Sequence, residues 1–174
     1  MQDTKRKWTI PVISICGYSN VGKTTLFCKL FIELERMGFQ VLPIKHHGHI
    51  IKNNYTIKIE RHMRSQNSTV DTMCYRNAGA KEVVLVVGSV GEKEWDSIVQ
   101  DLQKKFPNKN LLLVEGLKHI DIPKVEIITQ DALPVGKNHI IIVSTGEHEM
   151  SVNRNNSKEI LNQILKFLKG NNYD

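Results

Sequence analysis

The sequence lacks the features that mark several classes of protein. Its three cysteines, Cys16, Cys28 and Cys74, show no C-x-x-C spacing, so neither a disulfide framework nor a zinc site is indicated. This cysteine usage fits a reducing cytoplasm best. No apolar run reaches the ~18 residues that a membrane-spanning helix needs, which excludes such a span. Internal repeats, low-complexity tracts and linkers are missing as well, so a single domain over residues 1–174 is expected.

The composition is that of an ordinary globular protein with a basic excess. The 174 residues are 40% hydrophobic and 24% charged, which is enough to build one buried core. Lysine and arginine outnumber aspartate and glutamate by 24 to 18, and the net charge of +6 favours an anionic partner. Residues 45–76 hold six of the basic side chains and only two acidic ones. This segment has only two aromatic residues, Tyr55 and Tyr75, and no recognisable nucleic-acid module, so no nucleic-acid partner is expected.

Short apolar runs and helical periodicities alternate along the chain. The alternation predicts an α/β protein with a doubly wound, mostly parallel sheet. Residues 47–70 show no clear period outside an alternating stretch at 55–59, and there we expect an inserted hairpin or flap after the second strand. Strands are predicted over residues 8–16, 39–46, 82–88, 110–115, 125–129 and 139–144, and helices over residues 24–37, 71–80, 92–106 and 157–169.

The stretch GYSNVGKT, between the first predicted strand and the first predicted helix, matches the motif G-x-x-x-x-G-K-[ST]. In such a loop the glycines let backbone N–H groups wrap a polyphosphate at the positive end of a helix. Lys23 is then expected to reach the outer phosphates, and Thr24 to bind Mg²⁺ through its hydroxyl. The motif predicts the core of a P-loop NTPase. Its nucleotide-binding residues are predicted to be Gly17, Tyr18, Ser19, Asn20, Val21, Gly22, Lys23, Thr24 and Thr25.

A P-loop also needs an acidic group near the metal, usually at the end of another buried strand. Glu115 follows four apolar residues at the carboxyl end of the predicted strand 110–115, which is where α/β sheets place their ligands. We therefore predict that Thr24 and Glu115 hold Mg²⁺. Lys23 and Glu115 are the predicted catalytic residues of any nucleotide hydrolysis.

Five blocks of sequence occur in a specific order and spacing. They are GYSNVGKTTL at the P-loop, IKHHGH at residues 44–49, DTMCYRNAGA at 71–80, LVEGLK at 113–118 and PKVEI at 123–127. A P-loop alone is generic, whereas the five blocks together are not. They cover most of the chain up to about residue 128, and they resemble the MobB family of molybdopterin-guanine dinucleotide biosynthesis accessory proteins.

This resemblance implies a GTP-binding, Mg²⁺-dependent, homodimeric cytoplasmic protein with at most slow GTP hydrolysis. The implied partners are molybdopterin or its guanine dinucleotide and the transferase that joins GMP to molybdopterin. By the same resemblance, Lys45 and His46 are expected at a strand end near the γ-phosphate, and Asp71 and Arg76 are expected to face the same cleft. Such a protein acts as an adaptor, which couples or delivers and does no further chemistry of its own.

The chain departs from the family pattern in one block. Met73, Cys74 and Tyr75 stand where the family usually has Tyr-Arg-His, so one basic group is missing. The segment between residues 49 and 71 is also longer than in the family pattern, which leaves open the shape and role of the basic flap at residues 52–64. No guanine-reading Asn-Lys-x-Asp motif is present, so the preference for GTP over ATP rests on the resemblance alone.

Two other functions stay open at this point. A small-molecule kinase would use the same loop but would need an arginine-rich lid, for which only Arg61 and Arg64 are available. A nickel-type metallochaperone GTPase would use His46, His47 and His49, but these have no partner Cys or Glu at ligand spacing.

Overall fold

The computed structural model describes residues 8–48, 54–61, 70–129, 131–146 and 151–171, with the backbone alone for residues 70–72. Within these residues one eight-stranded sheet is flanked by four helices. The strands are β1 (Val12–Gly17), β2 (Val41–His47), β3 (Tyr55–Glu60), β4 (Val83–Gly88), β5 (Leu111–Glu115), β6 (Lys124–Ile128), β7 (His139–Ser144) and β8 (Val152–Asn153). The helices are α1 (Lys23–Arg36), α2 (Val70–Asn77), α3 (Glu92–Lys105) and α4 (Ser157–Gly170).

The sheet is parallel except at one edge. Its strand order is β3-β4-β2-β5-β1-β6-β7-β8, and β3 alone pairs antiparallel, with β4. The predicted doubly wound, mostly parallel sheet is therefore confirmed. Strands β1 and β5 are neighbours near the centre, with Ile15 opposite Glu115. Because they run parallel, the glycine-rich turn after β1 and the acidic end of β5 meet at the same edge of the sheet.

Helices cover both faces of the sheet and bury two apolar layers. On one face α1, α2 and α4 pack through residues such as Phe27, Tyr75 and Ile160. On the other face α3 packs through Trp95 and Leu102, among others. Most residues of the five central strands β1, β2, β4, β5 and β6 are buried, as expected for parallel strands that are covered on both sides.

The inserted segment after β2 contributes one edge strand. Residues 55–60 pair with β4, with Tyr55 opposite Gly88. The remainder of the predicted insertion, at residues 49–53 and 62–69, lies outside the described residues. The first strand begins at Val12, later than predicted, because Pro11 has no N–H for the ladder. The two-residue strand β8 was not predicted, since it is too short to show a pattern.

Candidate functional site

The turn between β1 and α1, residues 17–22, is called the glycine loop here. Gly17 and Gly22 have φ angles of +143° and +88°, which side chains disfavour. A Cβ atom on Gly17 would lie 2.3 Å from the carbonyl oxygen of Ile127 in β6. Asn20 is also left-handed at φ 61°, a conformation that asparagine tolerates. The predicted loop thus has glycine at the positions where backbone geometry requires it.

The start of α1 lies at the mouth of the glycine loop. Lys23 Nζ donates to the carbonyl oxygen of Tyr18 at 2.5 Å, so the amine lies across the loop. The first turn of α1 has no acidic residue, and the positive end of the helix is therefore not neutralised from within. Thr25, the last of the predicted nucleotide-binding residues, is exposed. A lysine and a helix N-terminus thus face the same small region, which suits an anion.

Glu115 is the centre of a buried polar cluster beside the glycine loop. Its Oε1 accepts a hydrogen bond from Thr24 Oγ1 at 3.1 Å and another from Lys45 Nζ. Its Oε2 accepts from the hydroxyl of Tyr75. Lys45 and Glu115 are register partners on adjacent parallel strands, so their side chains point to the same face of the sheet. Three predicted site residues, Thr24, Lys45 and Glu115, are therefore in direct contact.

Two residues of the site were missed by sequence reasoning. Tyr75 is fully buried, and its ring lies 4.4 Å from that of Phe27 while its hydroxyl reaches Glu115. The sequence signal that could have revealed it is a tyrosine on the buried face of a short helix. A buried phenol needs a hydrogen-bond partner, so such a residue points to a polar group nearby. Arg154 donates from Nη1 to the carbonyl oxygen of Val21 at 2.8 Å. No local pattern marks Arg154, which is 133 residues away from that partner along the chain.

Arg76 lies on α2 next to Tyr75, but the structure pairs it with the inserted strand. Its guanidinium is 3.3 Å from Glu60 of β3, and the two side chains are only 8% and 10% exposed. The pair fastens α2 to the sheet edge. Asp71 also belongs to α2, although its side chain lies outside the described residues, and its predicted place in the cleft stays a prediction.

The histidines after Lys45 do not lie together on one face. Neighbouring strand residues point to opposite sides of a sheet, so His46 and His47 diverge. His46 donates from Nε2 to the carbonyl oxygen of Gly88 at 3.0 Å, and burial lowers its pKa below the ordinary 6.5. Its expected position near a γ-phosphate stays a prediction, and His49 lies outside the described residues.

A second buried polar pair lies on the opposite face of the sheet, at Lys124 and Glu126 of β6. Lys124 Nζ donates to the carbonyl oxygen of Ile120 at 2.7 Å, and burial lowers the pKa of this lysine. Glu126 accepts the backbone N–H groups of Val135 and Gly136, each at 2.8 Å. These two charges therefore hold the loops that flank β6, which gives the PKVEI block a structural explanation.

The carboxyl of Glu126 stays ionised despite its burial. Burial alone would raise its pKa, but the hydrogen bond from His139 at 2.6 Å and the two backbone donors outweigh that effect and lower it below 4.5. Nearby, burial raises the pKa of the Cys16 thiol to about 12. Cys16 directly precedes the glycine loop but is held as a neutral, unreactive thiol.

Two kinds of feature are missing from the described part of the chain. None of the described helices combines the length and the hydropathy that a bilayer-spanning segment requires. Nor do three or more His, Cys, Asp or Glu side chains gather there as a metal-binding group. The second finding concerns all-protein metal sites, because Mg²⁺ beside a nucleotide takes most of its ligands from phosphate and water.

Comparison with known proteins points to one family. A sequence model of the MobB family, described as molybdopterin guanine dinucleotide synthesis protein B, matches residues 12–146. The molybdopterin-guanine dinucleotide biosynthesis adapter protein of Haemophilus influenzae is 28% identical over 151 residues, spanning 78% of this chain and 75% of that protein. A probable adapter protein of the same name from Bacillus subtilis is 27% identical over 125 residues, spanning 69% and 66% of the two chains.

The fold has a counterpart among solved structures. The crystal structure of a MobB protein homolog from Bacillus stearothermophilus superposes with a TM-score of 0.55 at 20% identity, covering 91% of this chain and 98% of that one. The family match spans more than half of the 174 residues and includes the glycine loop, Lys45 and Glu115. This chain belongs to the MobB family.

Proposed function

We propose that this chain is an adapter in molybdopterin-guanine dinucleotide biosynthesis that binds GTP and Mg²⁺ at the glycine loop. The adapter role is supported by the names of its relatives in two organisms. The nucleotide is supported above all by one contact, the 3.1 Å hydrogen bond from Thr24 Oγ1 to Glu115 Oε1 at the end of the loop. It brings together the hydroxyl and the carboxylate that a P-loop uses around its metal.

Phosphate would bind where donors already converge. The first N–H groups of any helix point out of its N-terminus, and the dipole of α1 adds positive potential there that no acidic residue of the first turn offsets. Lys23 contributes a point charge beside them. We expect its ammonium to exchange the Tyr18 carbonyl for a phosphate oxygen, because a charged acceptor makes the stronger hydrogen bond.

The residues present fit Mg²⁺. Thr24 and Glu115 offer hard oxygen ligands, which this ion prefers, and there are few enough of them to leave room for phosphate and water. When bound, Mg²⁺ would neutralise charge on the outer phosphates. Glu115 would hold the ion or its water, while Lys45 and Tyr75 keep the carboxylate from turning.

Hydrolysis is expected to be slow. Lys23 and Glu115 remain the candidates for it, but three donors already occupy most of the acceptor positions of the Glu115 carboxylate. A carboxylate so engaged is a poor general base for water. We therefore infer that GTP serves mainly as a bound ligand.

The remaining features belong to the same proposal. Molybdopterin or its guanine dinucleotide, the guanylyltransferase and a second copy of this chain are the expected partners. Lys58, exposed on β3, belongs to the basic segment that would meet a phosphorylated or acidic partner.

One continuous sheet supports a single domain over residues 1–174. The cytoplasm is the expected compartment, since Cys16, Cys28 and Cys74, all in described segments, form no disulfide.

Titration of the protein with GTP and Mg²⁺ tests the proposal. We expect Lys23→Ala to lower GTP affinity by at least tenfold without loss of fold, because this lysine is partly exposed at the loop. Lys29→Ala is the matched control, an exposed lysine on the same helix, and should bind GTP like the parent. A Lys23→Ala protein with parental affinity would refute the assignment.

The same titration separates the other functions. Rapid phosphorylation of a small-molecule acceptor in place of slow hydrolysis would favour a kinase. Tight nickel binding that is lost when His46 and His47 are replaced would favour a metallochaperone. Equal affinity for ATP and GTP would leave the loop assignment in place and remove only the guanine preference.

A further inference from the structure

Arg154 reaches the glycine loop from the far end of the chain. It follows β8, and its Nη1 donates to the carbonyl oxygen of Val21 at 2.8 Å. The guanidinium also lies directly over Gly22, where an added Cβ would be 2.6 Å from Nη1. The φ of +88° favours glycine at this position, and the guanidinium of Arg154 fills the space that a Cβ atom would occupy.

The backbone of Arg154 is fixed from both sides. Its N–H donates to the carbonyl oxygen of Ser144 in β7 at 2.9 Å, and Asn156 N–H donates to the carbonyl oxygen of Asn153 at 2.8 Å. The Asn156 side chain in turn caps α4 by accepting the N–H of Glu159 at 3.2 Å. Because this turn is already anchored, the ordering of Arg154 against the loop costs side-chain entropy but little further backbone entropy.

The contact has a directional consequence for the loop. The described backbone has no cis peptide, and in a trans peptide the carbonyl and the N–H of one unit point in opposite directions. By holding the carbonyl of Val21, Arg154 therefore turns the N–H of Gly22 away from itself. A charged donor on the carbonyl also polarises the peptide and makes that N–H a stronger donor.

We propose that Arg154 is a positioning residue for the phosphate chain of a bound nucleotide. It acts through the Val21–Gly22 peptide, whose N–H it aims and strengthens at the start of α1. This inference rests on the proposed nucleotide function. Arg154 lies outside residues 12–146, the part of the chain that the family model matches, so the family assignment does not cover it.

Arg154→Met is the informative variant, because it keeps an unbranched stem over Gly22 and removes the donors and the charge. Arg36→Met is the matched control, since Arg36 is 70% exposed at the other end of α1 and pairs with Glu33. Calorimetric titration with GTP and Mg²⁺, and with inorganic pyrophosphate, is combined with urea unfolding of the free proteins. The amide resonance of Gly22 in ¹H–¹⁵N spectra reports on the peptide itself.

We expect Arg154→Met to bind both probes about tenfold more weakly, to shift the Gly22 amide proton upfield, and to unfold close to the parent's urea midpoint. Arg154→Lys, which keeps a donor nitrogen and the charge, should recover most of the affinity. Arg36→Met should bind within twofold of the parent. If Arg154→Met does not fold, Arg154→Gln takes its place with the same expected loss.

Parental affinity in Arg154→Met would overturn the inference, as would an equal loss in Arg36→Met, which would assign the effect to net charge. A large fall in the urea midpoint with unchanged affinity would make Arg154 a structural tether only. If the parent protein binds neither probe, the proposed function itself fails, and this inference fails with it. If the parent protein and the Arg154 variants bind both probes with the same affinity, the proposed function stands and only this inference fails.

Discussion

Removal of a single hydroxyl group tests the buried cluster around Glu115. Tyr75→Phe deletes the donor to Oε2 while the ring keeps its packing against Phe27, 4.4 Å away. The carboxylate is only 1% exposed, so little water reaches it to replace the lost bond. A hydrogen bond to a charged group contributes about 1.5–3 kcal/mol, and we expect the free energy of unfolding to fall by that amount.

Urea unfolding followed by circular dichroism measures this loss. With a denaturant slope of about 1.5 kcal/mol/M, the midpoint should fall by about 1–2 M. Tyr55→Phe is the matched control, since Tyr55 lies half-buried on β3 away from the cluster, and its midpoint should hardly move. An unchanged midpoint in Tyr75→Phe, or an equal fall in Tyr55→Phe, would refute the account of the cluster.

Two further predictions concern substitution of the buried carboxylates themselves. Glu115→Gln keeps an amide oxygen for Thr24 and Lys45, so GTP should still bind while its dependence on Mg²⁺ weakens; an unchanged Mg²⁺ titration would move the acidic role elsewhere. Glu126→Gln should cost about 1–3 kcal/mol at pH 7. Because the pKa of Glu126 is lowered below 4.5 in the folded protein, its ionised form stabilises the fold above pH 4.5, and this contribution is lost as the pH falls through the folded pKa. The urea midpoints of parent and Glu126→Gln should therefore converge in acid, and a gap that persists there would contradict the assignment.

Much of the central sheet was predictable because its signals are local. The apolar runs that became β1, β4 and β5 are buried on both faces, and the glycines of the loop follow β1 directly. Glu115 was predictable for the same reason, since a charge at the end of a buried strand emerges at the edge where ligands bind. The fold and the family could therefore be predicted from short segments of sequence.

The contacts that complete the site were not predictable, because they depend on pairing between distant segments. No sequence pattern shows that β3 pairs with β4, or that Glu60 of β3 would pair with Arg76. Arg154 approaches the glycine loop only because β8 follows β7 at the sheet edge. In the sequence Tyr75 stands out only as part of a block that lacks a basic residue of the family pattern, although its burial against Phe27 delivers a neutral donor to Glu115.

A crystal structure of the protein with a non-hydrolysable GTP analogue and Mg²⁺ tests the central claim most directly. We predict that the phosphates lie in the glycine loop against Lys23, with the metal on Thr24 Oγ1 and with Glu115 on the metal or its water. A nucleotide bound elsewhere, or a metal held without Thr24 and Glu115, would contradict the account.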